Sequence, residues 1–318
     1  MTTPTTEAPA PAPPARRDPS PWAGRPQLQG RETLFGYAMI AAALAVIIIF
    51  TLAPIVASVL LSLMSWDAIS PPTFVGLENY DRLLHDQAVL RSFWVTIKLA
   101  TIIVATQVVI GLSLALLVQR FRSTFLRGLF RTAFFLPLLV SAASISIVFT
   151  YLFNDKFGVV NYYLGLVGLS GVSWLGSEAG ATATVIMVAV WQQLGFVFIL
   201  FIAALSTMPK DVLEAVAIDG AGPIRTFFAV KLPLISPTVF FAAVIGLINA
   251  LQLFDQPWVM TKGGPGDATR TTVIIIYQAA FQNLQFGYGS AISVVLFVLL
   301  MILTWLQFVA GRKWVFYS

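Results

Sequence analysis

The chain has 318 residues, a net charge of +5 and no cysteine; 58% of its residues are hydrophobic and only 10% are charged. A soluble domain carries about 25% charged residues, so water cannot be the solvent on every side of this chain. Without thiols there are no disulfide frameworks or thiol-based metal and redox sites, and a lone His85 leaves little for a His-rich metal site or a Ser-His nucleophilic relay.

Residues 1–31, "MTTPTTEAPAPAPPARRDPSPWAGRPQLQGR", are rich in Pro, Ala and Thr and poor in large apolar groups. Such a segment cannot bury enough surface to offset its ordering entropy, and it reads as a disordered tail. The apolar run behind it is too long for the core of a cleavable signal peptide. The rest, residues 32–318, reads as one transmembrane domain.

Six apolar runs reach the roughly 20 residues that a bilayer requires. They lie at about 34–64, 93–118, 132–153, 181–205, 233–254 and 288–310. Backbone amides in hydrocarbon need internal partners, and the apolarity is continuous rather than alternating, so these are helices and not barrel strands. The expected class is an all-α membrane protein with six transmembrane helices.

Lys and Arg counts set the orientation. The N-terminal tail has four, the second-to-third connection four, the fourth-to-fifth three and the C-terminus two, or 13 in all, against five in the other three connections. That split places both termini and the fourth-to-fifth connection in the cytoplasm. The remaining cation, Lys98, lies inside the second span, where it either snorkels to the outer interface or serves as an intramembrane cation. No span centre contains Asp, Glu or Arg. Proton-coupled carriers and voltage sensors usually need such groups, so a stand-alone carrier or channel is the weaker class of reading.

The fourth-to-fifth connection, 209–232, carries "KDVLEAVAI", which has helical composition, behind Pro209 and with Asp211 near its start. "DGAG" then breaks the helix, and "IRTFFAV" starts a second short one after Pro223. An ordinary amphipathic connector is the plain alternative. Polar amides in or near the spans, Gln107, Gln192, Asn249 and Gln252, face the bundle interior either as interhelical glue or as pore lining. "TKGGPG" has the wrong order for a nucleotide-binding loop, and no acid–base or nucleophile constellation lies at a membrane face.

Glu214-Ala215, Asp219-Gly220-Ala221 and, after nine residues from Gly220, Val230 with Leu232-Pro233 resemble the cytoplasmic signature of permease subunits of bacterial ATP-binding-cassette importers. Val216 and Val230 stand where that family has Ala and Ile. "FVGLENY" at Phe74–Tyr80 and "FDQPWVMTKGGPGDATRT" at Phe254–Thr272 are similar to elements of its carbohydrate branch, the maltose and glycerol-3-phosphate type. The resemblance implies the type I importer fold in a bacterial inner membrane and a permease that is not an enzyme, with no cofactor of its own. It implies three kinds of partner: a second homologous permease, a dimeric ATPase that holds ATP and Mg, and an extracytoplasmic binding protein. Nucleic acid is not among them.

Glu214, Ala215, Asp219, Gly220 and Ala221 would then couple to the ATPase. Substrate-path candidates are Trp191, Gln192, Leu194, Gly195, Phe198, Asn249 and Gln252; Leu194-Gly195 matches a Leu-Gly of the family's sugar site. The implied cargo is a sugar or oligosaccharide, with glycerol-3-phosphate or a glycerophosphodiester as the alternative. No catalytic or metal-binding residue is expected.

Overall fold

The computed structural model describes residues 30–316, so the expected tail lies outside the described residues apart from Gly30 and Arg31, which open the first helix. The chain divides into two units, residues 1–55 and 56–318. The first holds α1 (Gly30–Ile47), a π turn (Ile48–Leu52) and the start of α2 (Ala53–Leu61), and the helical run Leu34–Leu61 is apolar enough to cross a membrane. No side chain of residues 34–55 is buried. A helix that is apolar all round takes lipid or another protein as its solvent.

The second unit opens with a two-residue hairpin, β1 (Met64–Ser65) against β2 (Thr73–Phe74), and the short α3 (Glu78–His85). Asp86 then caps α4 (Gln87–Gln119) by accepting from the backbone N–H groups of Ala88 and Val89. At 33 residues, α4 is about 50 Å long, well beyond the roughly 30 Å of hydrocarbon. It packs along α8 (Glu178–Ser206) and α12 (Ser236–Leu251), where Leu99, Ile103, Val185, Ala189 and Leu251 form a buried seam. Small residues bring these backbones together, as lipid-solvated helices require. A Cβ on Gly111 would lie 2.9 Å from Val197 Cγ1. The last span, α15 (Phe286–Gly311), closes the bundle against α12 and α3.

Two of the expected spans fall on bent helix pairs. In place of 132–153, α5 (Thr124–Phe135) and a 3-10 turn (Leu136–Leu139) meet α6 (Ala142–Leu152) at 102°. Pro137 has no N–H to donate and cannot continue the ladder. In place of 233–254, α10 (Pro223–Thr226), a π turn (Phe227–Lys231) and α11 (Leu232–Leu234) meet α12 at 67°. Pro233 and Pro237 flank that break. Among the described residues four helices are long and apolar enough to cross a membrane, and six if each bent pair is one span.

Between the spans, α7 (Val159–Leu166) precedes α8, α9 (Lys210–Ile218) follows it, and α13 (Asp255–Thr261) and α14 (Thr272–Tyr277) precede α15. α13 folds back after α12 to pack on α6 and α8.

Candidate functional site

The chain presents two candidate sites, one on the connector and one inside the bundle. On the connector, α9 has no buried side chain. Leu213 and Val216 are half-buried, while Asp211, Glu214, Ala215 and Ile218 lie on the opposite, exposed face. The helix ends in a Schellman turn, with Gly220 N–H donating to Ala217 O at 3.2 Å and Ala221 N–H to Val216 O at 3.3 Å. Gly220 has φ +67°, a left-handed conformation, and no atom lies within 4 Å of where a Cβ would stand. Beyond it Ile218 is 86% exposed, Ile224 75% and Phe228 63%. Three large exposed apolar side chains on this segment form a surface suited to another protein rather than to water. Glu214, Ala215, Asp219 and Gly220 are thus exposed in one continuous knob, with Ala221 half-buried at its end.

The second site is a cavity of about 480 Å³ between α8, α12 and the start of α13. Gln192, Gln193, Asn249, Gln252 and Gln256 contribute amides to its wall, and Phe254 and Asp255 complete its polar and aromatic side. No Lys or Arg lines it. Gln192 is tied at both ends: its Nε2 donates to Val140 O at 3.1 Å and its Oε1 accepts from Gln256 Nε2 at 2.7 Å. The first bond satisfies a carbonyl freed at the α5–α6 bend, a requirement for any broken helix at membrane depth. Asn249 and Gln252 are exposed to the cavity with their amides unengaged by the described residues, which leaves them available to a ligand.

The other candidates named from sequence do not line this cavity. Trp191 stacks edge-on against Phe149 at 5.1 Å. Leu194 is buried, and Phe198 is fully buried against Phe134 at 5.3 Å. A Cβ at Gly195 would overlap the backbone of Phe134 and Phe135, so this glycine lets α8 and α5 touch. Gln107 is buried on α4 with its Nε2 unpartnered among the described residues. Gln193 lies in the same Trp191–Phe198 stretch as the candidates from sequence, whereas Phe254, Asp255 and Gln256 are not among them: they sit in "FDQPW", and only the packing of α13 on α6 and α8 brings them to the cavity.

The connection after α13 is well ordered by its own hydrogen bonds. Thr261 and Thr269 hydroxyls pair at 2.6 Å, and Thr272 N–H donates to Thr96 Oγ1 on α4 at 2.9 Å. Lys262 lies over the Trp258 ring at 4.4 Å. In the α6–α8 connection, burial pushes the Asp155 carboxyl up. Hydrogen bonds from Ser173 Oγ at 2.7 Å and Leu175 N–H at 3.2 Å outweigh it and hold the group below its ordinary value. Among the described residues no cluster of His, Asp or Glu could hold a metal ion.

Residues 107–315 match the family model described as a binding-protein-dependent transport system inner membrane component. The chain is 36% identical over 284 residues to the sn-glycerol-3-phosphate transport system permease protein UgpA of Escherichia coli O157:H7, covering 87% of this chain and 94% of that protein. It is 33% identical over 289 residues to the trehalose/maltose transport system permease protein MalF of Thermococcus litoralis, covering 90% and 96%. A crystal structure of a bacterial ABC transporter that imports the acidic polysaccharide alginate superposes with a TM-score of 0.78 at 21% identity, covering 89% of this chain and 96% of that one.

Proposed function

The chain belongs to the family of binding-protein-dependent transport system inner membrane components, and from that premise we propose that it carries a neutral sugar or oligosaccharide across the membrane. It is a multi-pass permease subunit of an ABC importer, not an enzyme. The cavity wall carries the cargo assignment. The unengaged amides of Gln193, Asn249 and Gln252 supply donors and acceptors matched to hydroxyl groups, Phe254 offers a ring to a pyranose, and Asp255 accepts from paired hydroxyls.

A phosphorylated cargo is the second reading, favoured by the likeness to UgpA. It fits the wall less well. A phosphate about 4 Å from Asp255 would be repelled by about 4 kcal/mol at an effective dielectric constant near 20, with no cation beside it to compensate.

In this reading a second homologous permease faces the cavity, and a binding protein delivers cargo at the outer face. A dimeric ATPase, holding ATP and Mg, grips the exposed knob around Glu214–Ala221 on the cytoplasmic side. Closure of the ATPase pushes on α9, and the bent α10–α12 segment conveys the push to the helix that bears Asn249 and Gln252. Replacing Asn249 or Gln252 by Ala tests the cavity: each lost hydrogen bond should lower sugar uptake about tenfold, or ~1.4 kcal/mol, while the complex still assembles in the membrane. Unaltered uptake by both variants would remove the cavity from the path.

A further inference from the structure

A second cavity, about 640 Å³, lies between α4 and α8 at the end of the bundle opposite the connector. Arg91, Trp94, Lys98 and Glu178 provide its polar rim. Arg91, Trp94 and Lys98 recur at helical spacing on one stripe of α4, and seven residues separate the two cations by about 10 Å along the axis. Both long side chains can therefore reach one anion between them.

The two other charged groups are already placed. Arg91 Nη2 donates to Gly266 O at 2.7 Å, and the Glu178 side chain packs against the same glycine. Glu178 also stands in the first turn of α8, where a negative charge is favoured. Lys98 has no ion pair among the described residues and is half-buried.

Depth identifies the kind of ligand. If α4 is centred in the bilayer, about 10 Å projects at each end, and Lys98, about 16 Å from the helix start, sits about 6 Å below the headgroup boundary. That is within the reach of a snorkelling lysine. Below the rim the cavity is apolar, with Val95, Ala183 and Ile186. The exposed stripe of α4 continues apolar through Ile102 and Val109. A soluble anion would have no use for such a track, whereas an acyl chain would.

We propose that this cavity binds an anionic phospholipid, with Arg91 and Lys98 on the phosphate, Trp94 at the glycerol level and the apolar track along one chain. The assignment does not depend on the identity of the cargo. Native mass spectrometry of the full-length chain, purified with its partner subunits in neutral detergent, would count phosphatidylglycerol retained against phosphatidylcholine. The wild type should prefer phosphatidylglycerol, and Lys98→Gln should reduce that preference roughly fivefold, the scale of one basic residue at an anionic surface. Lys98→Arg should keep it, which separates charge from folding. Equal retention of the two lipids by the wild type, or an unchanged preference in Lys98→Gln, would overturn the proposal. Displacement of the lipid by millimolar inorganic phosphate or sn-glycerol-3-phosphate would reassign the cavity to a soluble anion. A cross-link from position 98 to the second permease would reassign it to a subunit interface.

Discussion

Gly220 sits where two demands meet, a left-handed backbone and an open surface. A side chain at φ +67° costs roughly 1–2 kcal/mol, and no atom of the described residues lies within 4 Å of where a Cβ would stand. Gly220→Val should therefore leave the protein in the membrane, measured by immunoblot, while uptake falls to background. Gly220→Asn, which tolerates the left-handed region better, should retain more uptake. Equal loss in both variants would point to partner contact rather than to backbone shape.

At Gly195 the constraint is steric, because α5 backbone occupies the place of a Cβ. Gly195→Ala should destabilise the protein by about 1–3 kcal/mol, read as a lower melting temperature in detergent, even with cargo absent. Asp155 adds a pH-dependent effect. Its folded-state value lies below the unfolded one, so its stabilisation is complete above the ordinary carboxylate range and disappears as pH falls through the folded value. Protection factors of the amides in 155–177, corrected for intrinsic exchange, should fall on acidification in the wild type, and Asp155→Asn should abolish most of that dependence.

The α5–α6 break shows how an element and a residue depend on each other. Gln192 holds Val140 O at the break and Gln256 on the refolded α13, so one amide ties three elements together. Gln192→Leu leaves a carbonyl and an amide unpaired and should cost about 1–3 kcal/mol, more than Gln256→Leu, which orphans only one side of Gln192. Thermal unfolding of the two single variants and the double variant would measure the coupling. The broken spans also mark where sequence reading stopped. Continuous apolarity located the runs near 93–118, 181–205 and 288–310, because long straight helices in lipid have no other signature. Pro137 and Pro233 signalled trouble in the other two, but a proline does not say whether a helix kinks gently or turns through 102°. The helix-turn-helix of the connector was legible, since Pro209, Gly220 and Pro223 punctuate it. Trp191, Leu194 and Phe198 looked like path residues beside Gln192, yet a side chain's face depends on neighbouring helices that one sequence does not position. Asp255 and Gln256 were hidden for the same reason: only tertiary packing brings α13 inward.

For the whole molecule, the proposed function divides the labour between two sites. In that reading the exposed knob of α9 would receive force and the amide-lined cavity would face the cargo, with the bent segment before α12 joining them. Among the described residues that line the cavity, Asp255 is the one ionisable side chain. The most direct test is ATP hydrolysis by the complex reconstituted in proteoliposomes with its ATPase, second permease and binding protein. Neutral sugars or oligosaccharides should stimulate hydrolysis and accumulate inside, while glycerol-3-phosphate, amino acids and peptides should not. Stimulation by glycerol-3-phosphate, amino acids or peptides, with none by any neutral sugar, would contradict the account.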